Sequence, residues 1–347
     1  MIDPVAIQLL QAGKSKGLQE CFSIQGRSPD GVTAFWLRHE LLRQRGSRDI
    51  RVSNVLVTFD RKTGLTQCIH EQETITLVAF RQAARAGQWT RFSFNFASGS
   101  FFEISAEGLR GRMHTRRGSA AWELTLHAGA GLYRPFASEQ VYRLPKLPRL
   151  LLPASRLEVQ GRLSCAGVVL NGPFAGDSQH QWWGSHAEAY AWALCSRFNQ
   201  DDEAFFSGLS LRYTLAAGLL KSPYLSLASL QVGGRWHHFN GLLTASGQVV
   251  NALDNYRWLA AFSNRTHRLE VTIDGANPRI EPWVALHEQT GDGSTVLLKN
   301  TKFAAGKLRL YEKHDQEPII ELGSEYFELE TRWPEQEQEP ELRVGVP

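Results

Sequence analysis

The sequence predicts a nearly all-β protein built from two antiparallel β-barrels in tandem, with a short N-terminal helix. Three observations support this prediction. The chain has 347 residues, about twice the length of a typical domain. Apolar and polar residues mostly alternate with period two, and glycine-containing turns separate the runs. Many short strands of this kind indicate a sandwich or a barrel, and a barrel of about eight strands can hold one small ligand.

The individual elements follow from local patterns. Pro4 suits the first turn of a helix, and we expect a short helix over residues 4–12. Beyond it the chain becomes rich in alternating and β-branched residues. Strands are therefore predicted at, among other places, Val52–Phe59, Thr74–Phe80 and Trp122–Leu126.

A proline-containing segment divides the chain into two halves. Pro145 and Pro148 lie three residues apart, which is incompatible with a central strand and predicts an extended connector. We therefore expect an N-terminal barrel over residues 1–160 and a C-terminal barrel over residues 161–333. From Pro334 the chain holds Glu335, Glu337, Glu339 and Glu341 with glutamine and proline between them, so the acidic tail, residues 334–347, is predicted to be disordered.

Composition excludes several classes of function. The net charge is only +3 and no long basic run occurs, so a nucleic-acid partner is not expected. The four cysteines are far apart, and neither a metal site nor a nucleotide-binding loop is recognisable, so we expect no metal and no cofactor. No signal peptide or transmembrane stretch is visible, which predicts a cytoplasmic protein. Transient contact with a membrane surface and the oligomeric state are left open.

The most informative segment is Ser185–Phe198, where bulky and small residues alternate. In a strand this spacing places His186, Glu188, Tyr190 and Trp192 on one face, while the other face is mostly alanine. A helix is the alternative, because alanine favours helices. In a helix the large side chains would form no single apolar stripe, and the periodicity therefore favours a strand.

This face offers the residues for acid–base chemistry beside aromatic rings. Glu188 and His186 are a candidate catalytic pair, because a carboxyl group kept protonated in an apolar pocket can donate a proton. The alternative is that both residues only make structural hydrogen bonds. The aromatic residues suit either a cavity wall or an ordinary core. Trp236 and His238 share another strand face and are further candidates for a ligand cavity.

The same segment resembles a known family. Trp183-Gly184, His186-Ala187-Glu188 and Trp192 are similar to the signature of tocopherol cyclase-like and carotenoid hydratase-like proteins. Other similar motifs, spread from about residue 20 to 332, are Ser28-Pro29-Asp30-Gly31, Val57-Thr58-Phe59-Asp60, Leu144-Pro145-Lys146 and Asn300-Thr301-Lys302. The resemblance implies a fold of two lipocalin-like (calycin) antiparallel β-barrels. The chain departs from the family's Gly-His-Asn-Trp-Gly pattern, since it has Gln181 in place of the asparagine.

The resemblance also implies a reaction, namely protonation of a double bond followed by cyclisation, hydration or isomerisation without a cofactor. The substrate would be an apolar, isoprenoid-like small molecule. Glu188, His186 or His180 would act as the acid. The residues expected to contact the ligand are Trp182, Trp183, Tyr190, Trp192, Trp236, His238 and Asn300. The alternative function is a non-catalytic carrier that shelters an apolar lipid.

Overall fold

The computed structural model confirms the predicted fold class. The chain is nearly all-β, with two curled antiparallel half-barrel sheets and a short N-terminal helix. The structure describes residues 6–11, 17–84, 87–105, 107–136, 142, 149–184, 187–215, 220–241, 248–254, 256–275 and 282–333.

The first sheet has eleven strands in the order β4-β3-β2-β1-β11-β9-β8-β7-β6-β5, with β10 paired to β9. Helix α1 (Gln8–Gln11) precedes this sheet, and helix α2 (Leu77–Ala83) follows β4. A 3₁₀ turn spans Trp89–Arg91. The strands are β1 (Leu18–Arg27), β2 (Thr33–Arg43), β3 (Asp49–Asp60), β4 (Leu65–Thr76), β5 (Phe92–Asn95), β6 (Phe101–Ile104), β7 (Gly108–Thr115), β8 (Gly118–Ala130), β9 (Arg149–Cys165), β10 (Val168–Asn171) and β11 (Phe174–Trp183).

The second sheet has ten strands in the order β17-β16-β13-β12-β23-β22-β20-β19-β18, with β21 paired to β22. A separate two-stranded sheet joins β14 to β15. These strands are β12 (Ala189–Cys195), β13 (Phe205–Arg212), β14 (Thr214–Leu215), β15 (Leu220–Lys221), β16 (Leu225–Val232), β17 (Arg235–Phe239), β18 (Val249–Leu253), β19 (Arg257–Ser263), β20 (His267–Asp274), β21 (Trp283–Gln289), β22 (Thr295–Glu312) and β23 (Ile320–Arg332).

The chain passes from one sheet to the other between Trp183 and Ala189. The boundary predicted at residues 160 and 161 falls inside β9, which pairs with β8 and β11 of the first sheet. Strand β11 also pairs with β1, so the last strand of the first half lies beside its first strand. The predicted acidic tail, residues 334–347, lies outside the described residues.

One predicted strand is partly helical. The prediction placed a strand over Thr74–Phe80, but β4 ends at Thr76 and α2 begins at Leu77. The Thr76 hydroxyl accepts a hydrogen bond from the Ala79 backbone N–H at 3.2 Å. This is an N-cap, which satisfies one of the unpaired amides in the first helical turn and therefore favours a helix over continued strand.

Aromatic side chains fill the interior of the first half. Phe92 lies 5.4 Å from Trp89 and 5.3 Å from Phe102 between ring centroids, and all three are fully buried. His39 stacks on Phe102 at 4.3 Å and shares a 2.6 Å hydrogen bond with Asn54. Burial lowers the pKa of His39 to about 4, so this imidazole is neutral inside the barrel.

Small residues let the layers of the second half approach closely. Ala193 of β12 pairs with Gly208 of β13, and a Cβ atom added to Gly208 would lie only 2.7 Å from the ring of Trp258. Trp258 is fully buried, and its Nε1 donates to Ser210 at 3.0 Å. The predicted alanine-rich face of the strand thus makes room for a large aromatic core residue.

We expect Ala193→Leu to lower the free energy of unfolding by about 1–3 kcal/mol, because the added carbons overfill a close-packed layer. The urea midpoint would measure this loss. Ala121→Leu, on an exposed position of β8, is the matched control and should change stability by less than about 0.5 kcal/mol. Equal stability of the two variants would contradict the packing described here.

Candidate functional site

Strand β12 has two chemically different faces. Tyr190 and Trp192 belong to the apolar cluster shared with the first sheet. Ala191 and Ala193 belong to the separate core of the second sheet. Because side chains alternate across a strand, the period-two pattern sends the aromatic face toward the junction between the sheets.

Glu188 has a different environment from the one the sequence predicts. It precedes β12, and its carboxylate accepts hydrogen bonds from Thr214 Oγ1 at 2.9 Å and lies 2.8 Å from Lys221 Nζ. Arg212 Nη2 is 3.5 Å away. Burial alone would raise the pKa of Glu188, but the hydrogen bonds from Lys221 and Thr214 and the charge of Arg212 hold it below its ordinary value. Glu188 is therefore ionised and paired with cations. Such a carboxylate is not suited to hold a proton for transfer to a ligand.

His180 lies in the interior of the first half. Its Nε2 is 2.8 Å from Glu20 Oε1, and both side chains are fully buried. Glu20 also accepts hydrogen bonds from the Leu9 backbone N–H at 2.7 Å and from Trp89 Nε1 at 3.1 Å. The structure thus gives His180 and Glu188 separate partners. His186, the third predicted catalytic residue, lies outside the described residues.

A cavity of about 70 Å³ lies at the junction of the two sheets. Strands β9 and β11 form one wall, to which Trp183 contributes. Strands β12, β13 and β23 form the other wall, with Trp192, Leu209 and Leu211. The walls are thus largely aromatic and aliphatic, as expected for a small-molecule site.

A buried carboxyl–phenol pair lines this cavity. Tyr190 Oη donates a hydrogen bond of 2.9 Å to Glu330 Oε1, and both residues belong to the cavity wall. Burial raises the pKa of Glu330, and the nearby charges of Glu288 and Glu328 raise it further, against the opposing effect of Arg38. Burial and the Glu330 charge likewise raise the pKa of Tyr190 well above its ordinary value. Burial in this mainly apolar wall therefore makes Glu330 easier to protonate than an exposed glutamate.

Sequence reasoning missed Glu330. It lies on β23, 140 residues from Tyr190, and faces Trp192 in the register between β12 and β23. The one local signal is that Glu328 and Glu330 alternate with Phe327 and Leu329. Two carboxyl groups that alternate with large apolar residues indicate a strand with one acidic face and one apolar face.

The seven predicted ligand contacts separate into groups. Trp183, Tyr190 and Trp192 line the cavity. Asn300 lies behind it, where its Nδ2 donates to Glu330 Oε2 at 3.2 Å and to Glu328 Oε1 at 3.3 Å. Asn300 thus orients the carboxyl group that faces the cavity.

The remaining three predicted contacts lie elsewhere. Trp182 packs on His180 at 4.7 Å inside the first half, because it points to the opposite face of β11 from Trp183. Trp236 stacks between Tyr133 at 5.5 Å and His238 at 5.4 Å on strand β17. These three side chains are absent from the described cavity wall.

A band of buried polar side chains connects the two sheets beside the cavity. Gln25 Nε2 donates to Asp177 Oδ2 at 2.8 Å and also to Glu328. Gln179 Nε2 donates to Asp177 Oδ1 at 3.0 Å and to Glu328 Oε2 at 3.2 Å. Lys302 Nζ contacts both Glu328 and Gln25. We call this band the inter-sheet seam, which comprises Gln25, Asp177 and Gln179 of the first sheet and Asn300, Lys302, Glu328 and Glu330 of the second.

A second polar group, the Arg38 cluster, extends the seam. It comprises Gln19, Arg38, Glu40 and Glu288. Arg38 contacts Glu288 and lies 2.7 Å from Glu40, while Gln19 Nε2 donates to Glu288 at 3.2 Å. Trp36 separates the two groups: its ring lies 4.4 Å from the Arg38 guanidinium carbon and 4.5 Å from Lys302 Nζ. Cation–π contacts of this kind favour buried cations.

The seam and the cluster hold protonatable carboxyl groups. Burial, together with the charge of Glu328, raises the pKa of Asp177 to about 7, against hydrogen bonds from Gln25 and Gln179 and the charge of Lys302. Burial also raises the pKa of Glu40 to about 7, against the charge of Arg38. These two carboxyl groups therefore titrate near neutral pH, where ordinary aspartate and glutamate side chains are ionised.

Two features are absent from the described part of the chain. No group of three or more His, Cys, Asp or Glu residues there is arranged to hold a metal ion. Across the same residues, no helix is long and apolar enough to cross a membrane.

Comparison with known proteins identifies the fold. No family model matches the chain, and no curated protein matches it. The crystal structure of CghA has a TM-score of 0.56 and 9% identity, and the match covers 96% of this chain and 93% of that chain. CghA with Sch210972 has a TM-score of 0.49 and 8% identity, and the match covers 91% of this chain and 89% of that chain. A putative AttH from Nitrosomonas europaea has a TM-score of 0.48 and 14% identity, and the match covers 92% of this chain and 93% of that chain. The two curled sheets and the similarity to CghA fit a double lipocalin-like fold.

The raised pKa of Asp177 predicts a pH-dependent contribution to stability. The folded chain keeps the Asp177 proton up to about pH 7, whereas the unfolded chain releases it near the ordinary value of 3.8. The folded state therefore binds more protons between these values, and this contribution to stability falls as pH rises from about 4 to 7. Asp177→Asn removes it, so the stability deficit of the variant should be larger at pH 5 than at pH 8.

Urea unfolding of both proteins at pH 5 and pH 8 measures this difference. The histidines titrate in both proteins, so their effects cancel in the comparison. The deficit in the free energy of unfolding should be about 2–3 kcal/mol larger at pH 5 than at pH 8, because one proton contributes about 1.4 kcal/mol per pH unit below the raised pKa of about 7. A deficit that does not change with pH would show that Asp177 is ionised throughout.

Proposed function

We propose that the chain binds an apolar small molecule in the cavity between its sheets and that Glu330 donates a proton to a double bond of that molecule. The observation that carries this proposal is the Tyr190–Glu330 pair in the wall of an otherwise apolar cavity. A carboxyl group whose pKa is raised by burial is better suited to act as the acid in such a reaction than an exposed glutamate.

The size of the cavity limits how the ligand binds. Its volume of about 70 Å³ equals that of about two liquid waters and lies below the range of roughly 300–1,000 Å³ for common ligand pockets. The cavity therefore receives a short hydrocarbon segment around the double bond, and the rest of the ligand lies outside it. Trp183 and Trp192 contact that segment.

The proton transfer follows from the hydrogen bonds of Glu330. Its Oε1 accepts from Tyr190, and its Oε2 accepts from Asn300, so both donors hold the carboxyl group in place. The acidic O–H adds its proton to one alkene carbon, the π electron pair forms the new C–H bond, and the other carbon becomes cationic. The neighbouring indole rings stabilise positive charge through their negative faces.

The cation has three balanced outcomes. Loss of a proton from an adjacent carbon to the Glu330 carboxylate gives an isomer and restores the acid. Attack by a hydroxyl group of the same molecule closes a ring, and the hydroxyl proton returns to Glu330. Attack by water gives an alcohol in the same way. Each outcome restores the starting state of the protein without a cofactor.

The catalytic half of the proposal is tested with 2-prenylphenol in D₂O. Wild type should convert it into a product that carries one deuterium on carbon, detected by mass spectrometry. Glu330→Gln should slow conversion by at least about 100-fold, the usual contribution of a general acid, and keep the dissociation constant within about two-fold. Glu325→Gln on the same strand, where the exposed Glu325 pairs with Arg61, should behave as wild type.

Wild type that binds 2-prenylphenol without incorporating deuterium would contradict the catalytic half and favour the carrier function. Full activity of Glu330→Gln would show that another group supplies the proton. Either result is distinguishable from a folding defect by the melting temperature of the variant.

The binding half is tested by filling the cavity. Ala187 is buried and lines the cavity, so Ala187→Leu places three additional carbons in about 70 Å³. We expect the dissociation constant for 2-prenylphenol, measured by calorimetry, to rise at least about ten-fold. Ala121→Leu, at an exposed position, is the control. Unchanged affinity of Ala187→Leu would place the binding site elsewhere.

A further inference from the structure

The two indole rings in the cavity wall differ in their hydrogen bonding. Trp183 Nε1 donates to Gln19 Oε1 at 3.2 Å. Trp192 is only 3% exposed, and its Nε1 has no hydrogen-bond partner among the residues that the structure describes. An indole N–H can only donate, and buried donors in folded proteins almost always have an acceptor. Trp192 thus contributes to the cavity wall a ring whose donor is unpaired within the described part of the chain.

The residues opposite Trp192 on the neighbouring strands leave this donor unpaired. On one side Trp192 lies opposite Leu209 of β13, whose side chain has no acceptor. On the other side it lies opposite Glu330 of β23. Both carboxyl oxygens of Glu330 already accept hydrogen bonds, one from Tyr190 and one from Asn300. A molecule bound in the cavity can therefore supply the acceptor that these neighbours do not.

We propose that the Trp192 N–H donates a hydrogen bond to an oxygen atom of the bound ligand. The inference rests on the proposed function, because it concerns the same cavity, and it adds the chemical class of the ligand: an alkene that carries a hydroxyl, ether or carbonyl oxygen. A pure hydrocarbon would leave the buried donor unpaired in the complex, which costs more free energy than the hydrogen bond itself contributes.

The strand register also places this oxygen relative to the double bond. Residues directly opposite each other on antiparallel strands have Cβ atoms about 4.5–5.5 Å apart, and Trp192 and Glu330 are such a pair. The ligand oxygen at Trp192 is therefore a few bonds away from the alkene carbon that receives the Glu330 proton. The hydroxyl oxygen and the prenyl double bond of 2-prenylphenol have this spacing, so Trp192 holds the oxygen that closes the ring in the proposed cyclisation.

2-Prenylphenol and prenylbenzene test this inference, because they share one hydrocarbon skeleton and only the first has an oxygen. Calorimetry on wild type should give a dissociation constant about ten-fold lower for 2-prenylphenol, as expected for one hydrogen bond to a buried donor. Replacing Trp192 with 3-benzothienylalanine puts a sulfur atom in place of the N–H and keeps the shape of the ring. This change should reduce the preference to about two-fold or less by weakening 2-prenylphenol alone.

The same replacement at Trp236 is the matched control. Trp236 is 40% exposed and lies outside the described cavity wall, so the preference for 2-prenylphenol should be kept. Trp192→Phe provides a second variant, which removes the donor together with part of the ring. Both probes should bind it more weakly, and the ratio of their dissociation constants reports the loss of the N–H. Melting temperatures of all variants identify any loss of folding.

The indole proton of Trp192 gives a direct readout by NMR. Its resonance is assigned by its disappearance in Trp192→Phe. The resonance should move further downfield with 2-prenylphenol than with prenylbenzene, because only the phenol oxygen accepts the hydrogen bond.

Equal affinity of wild type for the two probes would overturn the hydrogen bond, as would a benzothienylalanine variant at Trp192 that still prefers 2-prenylphenol. The proposed function fails by a different result, namely 2-prenylphenol binding that Ala187→Leu does not weaken. Wild type that binds neither probe would overturn both proposals together.

Discussion

The structure depends on the cost of burying carboxyl groups between two sheets. The inter-sheet seam and the Arg38 cluster include more buried acids than buried cations: the acids are Asp177, Glu288, Glu328 and Glu330, and the cations are Arg38 and Lys302. An unpaired charge in such a place is strongly destabilising, which opposes ionisation of carboxyl groups there. The raised pKa values of Asp177 and Glu330 are two expressions of this one constraint.

The inter-sheet seam connects the two sheets and also contributes Glu330 to the cavity wall. Asn300 donates to both Glu328 and Glu330, so the carboxyl group that helps to join the sheets and the one that lines the cavity share a single amide. Loss of an acceptor at either position leaves a buried donor without a partner, which costs more than the hydrogen bond itself contributes. In the proposed function, the proton delivered to the ligand is therefore stored by the same arrangement that holds the halves together.

The comparison of Glu188 with Glu330 shows how far local sequence reasoning extends. Glu188 stands beside the aromatic run and was the natural candidate for the acid. Whether a carboxyl group gains or loses a proton depends on its neighbours, and those of Glu188 are Arg212, Thr214 and Lys221. These neighbours lie on the strands that follow β12, namely β13, β14 and β15. Their positions beside Glu188 depend on how those strands fold back against it. No pattern within residues 185–198 contains that information.

The sequence by itself determined the all-β class, the short N-terminal helix, and the aromatic and small faces of β12, because these depend on the alternation of side chains along one strand. It also identified three of the cavity residues, Trp183, Tyr190 and Trp192. Only the tertiary structure shows that Glu330 is the acidic residue that lines the cavity with them. The Tyr190–Glu330 contact joins residues 140 positions apart, and it results from the pairing of β12 with β23 within the second sheet. Burial in the folded chain, which no local pattern encodes, is the main reason why the pKa of Glu330 is raised.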